Sequence, residues 1–258
     1  MRLMKRILSA AAVLALSASL LVGCSSGTAS SVPVSASSAA ESTVSSVEET
    51  ASSAADENEA AAAQLLNDLT GSYQELWPVI LADEYKQTWL DDCTALVGED
   101  NAEAAFEKLS SMVTGDVYGE DAVKAYANGG GAYFCGFTND LATLTFDGET
   151  STISGTDKDG NELFSHPYHY IGMEPVRGLY EFESDDADSG EFTYFFLAPD
   201  TSAETYHIEF RYGSDADALS QYDAGDYAYW LASGISTDCD QTMIDNCIEL
   251  FCTENLAG

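Results

Sequence analysis

Basic residues are scarce in this 258-residue sequence: nine Lys and Arg stand against 44 Asp and Glu, for a formal net charge of -35. Phosphate binding needs positive charge, so this composition excludes nucleic acid as a general partner. It also disfavours docking on anionic lipid through surface charge. Three of the nine basic residues, Arg2, Lys5 and Arg6, lie in the first six positions. Without them, 44 acids face six bases, and the net charge becomes -38.

Known catalytic motifs are also lacking. The sequence contains no G-x-S-x-G nucleophile elbow, no phosphate-binding glycine loop, no H-E-x-x-H zinc motif and no dinucleotide fingerprint. Residues 155–166 superficially resemble a calcium loop. However, Gly155 stands where the first acidic ligand belongs, and His166 where the bidentate Glu belongs. A β-hairpin turn explains this stretch better, and we expect no enzymatic activity.

Long apolar runs are confined to the N-terminus, where Ile7–Val22 follows a short basic segment. This order is typical of a secretory signal peptide, which we place at residues 1–23. The next residues, LVGC, end at Cys24 and resemble the lipobox of bacterial lipoprotein precursors. That resemblance implies that Cys24 is the lipidated N-terminus of an extracytoplasmic protein anchored to the bacterial cell membrane.

The stretch that follows Cys24 is rich in Ser and Ala and shows no periodic apolar face. Such a segment cannot offset the entropy lost on ordering, so residues 24–60 are predicted to be a flexible tether. The folded domain is predicted to span residues 61–258.

Five cysteines remain after Cys24, which is an odd number, so at least one has no partner within the chain. Cys247 and Cys252 lie five apart in a predicted helix, which puts them beyond disulfide reach. The absence of any C-x-x-C pair argues against a cysteine-only zinc site. We expect buried cysteines that include one or two disulfides.

The first part of the domain has helical periodicity. Two apolar stripes follow Pro78, a residue suited to a first helical turn: Leu81, Tyr85, Trp89, Cys93 and Leu96, then Phe106, Leu109, Met112 and Val113. A short helix is predicted over Glu120–Ala127. The last helix should be capped by Asp238 and bury Ile244, Cys247, Ile248 and Phe251.

After the triple glycine at residues 129–131, the helical spacing of apolar residues gives way to strict alternation of apolar and polar residues. Asp147–Gly148 and Asp159–Gly160 are hairpin signals between alternating runs. Further strand-like runs have no helices between them, which disfavours a parallel α/β sheet. The pattern predicts an α+β fold, mainly antiparallel β, built as a sandwich or barrel between N-terminal helices and a C-terminal helix.

The polar group of most interest is the HIE triplet at His207 and Glu209. Residues two apart share a face of a strand, so His207, Glu209 and Arg211 should lie opposite Ile208 and Phe210. The pattern alone favours a half-solvated strand on which Glu209 pairs with Arg211. The competing interpretation is a metal site in which the imidazole and the carboxylate converge.

Several segments carry a family resemblance: LTGSYQELWPVIL at residues 69–81, then YHYIGMEPV and GLYEFES, then EFTYFFLAPD followed by TYHIEFRYGSD. In this order they resemble the ZinT/YodA zinc- and cadmium-binding proteins, from about residue 66 to the end of the sequence. The resemblance implies a lipocalin-like (calycin) barrel with helical additions. It also implies an extracytoplasmic protein that binds zinc and passes it to an ABC importer.

The same resemblance implies part of a ligand set. His207 falls on the first histidine of the family's His-x-His motif, and Glu209 replaces the second, where a carboxylate is still an acceptable zinc ligand. The third family histidine is Phe195 here, which cannot coordinate a metal. His169 is our candidate for the missing donor, and Asp200 is an alternative oxygen donor. Mixed nitrogen and oxygen ligation suits Zn²⁺, whereas an all-carboxylate set would favour calcium or magnesium.

Three classes of function remain open. The first, which we favour, is capture of a divalent metal, most simply zinc, and its delivery to the binding protein of a zinc ABC transporter. The second is a metal-free calycin that binds a small apolar or aromatic ligand in its barrel. The third is an exported hydrolase with an unrecognised site.

Overall fold

Eight antiparallel strands organise the chain in a computed structural model that describes residues 57–127, 131–200 and 202–257. Each strand pairs with the next along the sequence, and β1 also pairs with β8, so the sheet closes into a barrel. This confirms the predicted mainly antiparallel barrel. The strands are β1 (Gly71–Glu75), β2 (Thr143–Asp147), β3 (Thr152–Thr156), β4 (Glu162–Met173), β5 (Tyr180–Ser184), β6 (Tyr194–Leu197), β7 (Ile208–Gly213) and β8 (Ala232–Ser236).

Helices lie before, between and after the strands. The helix predicted at Glu120–Ala127 is confirmed, and the first described helix begins at residue 57, before the predicted domain start at residue 61. The helices are α1 (57–68), α2 (Leu76–Ile80), α3 (Lys86–Val97), α4 (Glu99–Val113), α5 (Glu120–Ala127), α6 (Ser202–Thr205), α7 (Ala216–Leu219) and α8 (Gln241–Leu256), with 3₁₀ turns at Asp83–Tyr85 and Gly190–Phe192.

Both predicted hairpin turns are confirmed, and each is held by an aspartate. Between β2 and β3, Asp147 Oδ1 accepts hydrogen bonds from the backbone N–H groups of Glu149 and Thr150, at 3.0 and 3.3 Å. Between β3 and β4, Asp157 Oδ1 accepts from the backbone of Asp159 and Asn161, both at 2.9 Å. Asp side chains often stabilise turns in this way, and residues 155–166 therefore form a hairpin rather than a calcium loop.

Aromatic side chains fill the barrel. A barrel of eight strands has an interior just wide enough for side chains to occupy. Phe195 lies at its centre, with ring centroids 5.3 Å from Tyr212 and 5.4 Å from Tyr168. The fully or nearly fully buried aromatic residues of this core are Tyr73, Phe137, Phe146, Phe164, Tyr168, Phe182, Phe195, Phe210, Tyr212 and Trp230; Phe196, paired with Arg211, is buried on the outer side of β6.

A second core lies between the helices and the outer side of the barrel. It contains residues of α2, α3, α4 and α8 together with Cys135 and Ile235. The Phe251 ring of α8 lies 4.9 Å from Trp77 and 5.9 Å from Trp89, measured between centroids. The predicted apolar face of α8 is therefore confirmed. The predicted cap Asp238 is wrong: Asp240 has extended dihedrals and accepts from the backbone N–H of Met243 at 2.9 Å.

The two predicted helical stripes are only partly buried. Trp89, Cys93 and Leu109 are fully buried, but Leu96 is 37% exposed and Met112 is 41% exposed. In α4 the buried face instead runs through Ala102, Ala105 and Leu109. Small side chains there let α3 and α8 approach closely, which a pattern of large apolar residues does not reveal.

All five cysteines in the described residues are free thiols, and four of them are buried. The expected one or two disulfides are therefore wrong for this part of the chain. Cys93 of α3 and Cys252 of α8 come nearest to a pair, with their sulfur atoms 3.9 Å apart. Burial raises the pKa of both thiols, so they behave as small apolar residues between two helices.

Arg211 is the least expected feature of β7. The alternation of side chains along β7 puts Arg211 on the outer side of the barrel, yet its side chain is fully buried. The predicted outer pair of Glu209 with Arg211 is therefore wrong. Its guanidinium donates to three backbone carbonyls, that of Leu219 at the end of α7 and those of Gln221 and Tyr227 in the segment that follows. These bonds hold that segment over the outer face of β7, and burial lowers the pKa of the guanidinium.

Two guanidinium groups lie against the Tyr222 ring. The guanidinium carbons of Arg177 and Arg211 lie 4.2 and 4.3 Å from its centroid. The Tyr222 hydroxyl donates to buried Glu174, whose carboxylate also accepts from the backbone N–H groups of Val176 and Arg177. Two of the chain's few cations thus stabilise the fold through an aromatic ring.

The residues before position 57 carry the earliest predictions. The signal peptide at 1–23, the lipidated Cys24 and most of the 24–60 tether lie outside the described residues. Within the described residues, no helix combines the length and the apolar character needed to cross a bilayer.

We predict that Arg211→Lys lowers the free energy of unfolding by about 3 kcal/mol, because an ammonium group cannot reach all three carbonyls and leaves buried acceptors unpaired. Urea denaturation measures this change. Arg177→Lys is the matched control, since Arg177 is only half-buried, and it should cost less than about 1 kcal/mol. Equal losses in both variants would contradict the anchoring role of Arg211.

Candidate metal centre

Strand β7 separates the barrel interior from a polar outer face. Ile208, Phe210 and Tyr212 are buried in the core, while Glu209 is half-buried on the opposite side. His207 immediately precedes the strand. The residue before it, Tyr206, has a φ of +65°, a left-handed conformation that is unusual for a bulky side chain. Such strain is often found where a neighbouring side chain must be held in one position.

The imidazole of His207 is oriented by its own backbone. Its Nδ1 lies 2.8 Å from the carbonyl oxygen of Thr205. A carbonyl oxygen can only accept, so Nδ1 carries the proton, and Nε2 of the neutral ring keeps its lone pair. A hydrogen bond of this kind commonly fixes the tautomer of a metal-ligating histidine.

One carboxylate, that of Glu254, responds electrostatically to this histidine and to two other acids. Burial raises the pKa of Glu254, in the last turn of α8; His207 lowers it, and Glu209 and Asp200 raise it. The pKa of Glu254 therefore depends on His207, Glu209 and Asp200 together. The imidazole and the two other carboxylates are therefore within electrostatic range of the last turn of α8, and Glu254 is a helix residue that the sequence did not predict.

The donor set fits a divalent metal ion that accepts both nitrogen and oxygen ligands. One imidazole nitrogen with carboxylate oxygens is an acceptable zinc set, whereas oxygen alone would favour calcium or magnesium. In the described part of the chain, no three His, Cys, Asp or Glu side chains already stand close enough together to hold a metal ion. Binding here would therefore require Glu209 and Glu254 to turn toward His207.

A thiol also lies beside His207 but does not form a catalytic pair with it. Cys247 Sγ is 3.9 Å from His207 Nδ1. Burial raises the pKa of Cys247 to about 12, so the thiol stays protonated. Reactive cysteines have lowered pKa values, and Nδ1 is already engaged with Thr205. The arrangement is that of a packed thiol rather than of a nucleophile and its base.

His169 lies elsewhere. It sits on the outer face of β4, half-exposed, with Nδ1 2.7 Å from Asp185 and Nε2 4.0 Å from Glu183. Strands β5 and β6 separate β4 from β7, and the strand register leads from His169 to Gly213, at the end of β7 opposite to His207. The structure therefore does not bring His169 together with His207 and Glu209.

Two further positions complete the comparison with the sequence. Phe195, where the resemblance expects a histidine, is fully buried in the barrel core. Glu254 was missed, although a signal exists: it lies seven residues after Cys247, which places it on the apolar side of α8. An acid at such a position is a reason to look for a partner on the facing strand.

Comparisons with known proteins give structural neighbours only. No protein-family model and no curated protein matches the chain at significant similarity. Among solved structures, the chain is similar to the Zn(II)-bound ZinT-like domain of Streptococcus pneumoniae AdcA, with a TM-score of 0.46 and 15% identity over 72% of this chain and 89% of that one. It is also similar to Zn(II)-bound AdcA from the same organism, with a TM-score of 0.43 and 14% identity over 70% and 34% of the two chains.

We predict opposite shifts in the pKa of Glu254 when its neighbours are changed. Glu209→Gln should lower this pKa, because a negative charge that opposes ionisation is removed. His207→Ala should raise it, because the interaction with His207 that lowers this pKa is lost. NMR titration of the Glu254 carboxyl carbon measures both shifts.

Glu249→Gln is the control for this titration, since Glu249 lies on the same helix but does not act on Glu254. It should leave the pKa of Glu254 unchanged. If Glu209→Gln has no more effect than this control, the two carboxylates do not face each other.

Proposed function

We propose that this protein is an extracytoplasmic, lipid-anchored metal-binding protein that captures Zn²⁺ and passes it to an ABC importer, and that it is not an enzyme. The observation that carries the proposal is that His207, whose Nδ1 donates to the Thr205 carbonyl, and Glu209 both act electrostatically on Glu254. The resemblance of the sequence to the ZinT/YodA family supports zinc as the cargo and an importer as its recipient.

The surface charge supports the same function. With 44 acidic residues in the chain, cations accumulate near the protein, an effect that added salt weakens. The acidic surface does not itself create a site. It raises the local concentration of metal ions around the domain, including around His207.

The other two classes of function find less support. A ligand inside the barrel would have to displace packed aromatic side chains such as Phe195 and Phe210. A hydrolase would need an activated nucleophile, and the thiol nearest to a histidine, Cys247, has a raised pKa. We therefore propose metal capture without a reaction.

Zinc titration tests the metal centre. We expect saturable binding of one Zn²⁺ by isothermal titration calorimetry, with an affinity that falls at least about tenfold in each of His207→Ala, Glu209→Gln and Glu254→Gln, since each variant removes one donor. His169→Ala is the matched control and should bind like the parent. An absence of binding in the parent, or unchanged affinity in the His207 and Glu209 variants, would refute the site.

A separate experiment tests the anchor. Cys24→Ser should move the protein from the membrane fraction to the aqueous phase of a detergent partition, because two acyl chains bind a bilayer stably and none remain in the variant. Cys239→Ser, which changes another accessible cysteine, should stay with the membrane. If both variants partition alike, Cys24 is not the attachment point.

A further inference from the structure

A cleft of about 330 Å³ lies at the end of β1. It opens between α2, the end of α4 and the segment that leads into β2. Its main lining residues are Glu75, Trp77, Pro78, Leu81, Phe134 and Gly136. None of the residues proposed to bind zinc lines this cleft, so it needs an explanation of its own.

The walls of the cleft are held by backbone hydrogen bonds and ring stacking. Thr114 at the end of α4 forms a β-bridge with Phe134, and the Gly115 N–H donates to the Tyr133 carbonyl at 3.0 Å. The Phe134 ring stacks on Tyr118, with centroids 5.5 Å apart and planes 13° apart. Two aromatic residues, Trp77 and Phe134, therefore form a preformed part of the lining.

Glu75 is the one charged residue of the lining. Its Oε1 accepts a hydrogen bond from the backbone N–H of Phe137 at 2.6 Å, which fixes the carboxylate at the edge of the cleft. Gly136 leaves room for it, since a Cβ there would lie 2.8 Å from Glu75 Oε1. The cleft thus presents a positioned negative charge between aromatic and aliphatic walls.

We propose that this cleft binds a small organic cation, an ammonium group carried on an apolar or aromatic body. The ammonium group pairs with Glu75 and lies against the Trp77 and Phe134 rings, whose faces attract cations. A neutral apolar ligand would cover the carboxylate without a partner, and an anion would be repelled. A bare metal ion would lose its hydration shell and gain only one carboxylate and apolar walls, so the cleft does not suit it. The volume suits a ligand of one or two rings.

The test compares benzylamine, which is cationic at neutral pH, with benzyl alcohol, its neutral counterpart, on the full chain in detergent. We expect saturable calorimetric binding of benzylamine, with a shift of the Trp77 indole N–H signal in NMR spectra. Benzyl alcohol should bind at least about tenfold more weakly, because it lacks the charge that Glu75 attracts.

Three variants locate the site. Glu75→Gln keeps an acceptor for the Phe137 N–H and should weaken benzylamine binding at least about tenfold, while zinc binding stays as in the parent. Gly136→Ala pushes a methyl group toward Glu75 and Phe134, and it should weaken benzylamine binding without removing any charge. Glu162→Gln, an exposed carboxylate far along the sequence, is the control and should change nothing.

The proposal is overturned if benzylamine does not bind saturably, if benzyl alcohol binds equally well, or if Glu75→Gln binds benzylamine like the control. Loss of zinc binding in the His207 variant with benzylamine binding intact would leave the cleft proposal standing. The failure of either site is thus seen independently of the other.

Discussion

Closure of the barrel around a packed aromatic core is the constraint on which the rest of the structure depends. Strand β1 uses both of its edges, one for β2 and one for β8, so every strand has a fixed inner and outer face. The inner face is occupied by rings such as Phe195 and Tyr212. Chemistry is therefore left to the ends of the strands, where helices and loops cover them and form the acidic end of β7 and the cleft at the end of β1.

Local signals in the sequence were sufficient for most of the framework. Asp147–Gly148 and Asp159–Gly160 mark turns by their own chemistry, and helix Glu120–Ala127 stands out between glycines. Arg211 could not be placed in the same way. Its alternation puts it outside the barrel, and only the segment from Leu219 to Tyr227, folding back over β7, turns that outer position into a buried one. The alternation of polar and apolar residues within one strand does not reveal that a distant segment covers it.

The candidate site likewise combines residues that the sequence indicates with one that it does not. His207 and Glu209 are neighbours in sequence, and the resemblance pointed to both. Glu254 comes near them because α8 contacts the residue before β7, with Cys247 Sγ 3.9 Å from His207 Nδ1. This contact depends on the second core and not on any local motif. His169 was chosen because the chain has only three histidines, and strand register, which single-sequence patterns do not supply, places it on another side of the barrel.

The packing of Arg177 and Arg211 against Tyr222 affects how copies of the protein interact with one another. With Arg211 buried and Arg177 half-buried against this ring, the surface of the described domain offsets its carboxylates mainly with lysines. The folded protein then behaves as a colloidal polyanion. Its copies repel one another at low ionic strength, and their spacing in a crowded layer is set by the counterions that surround them.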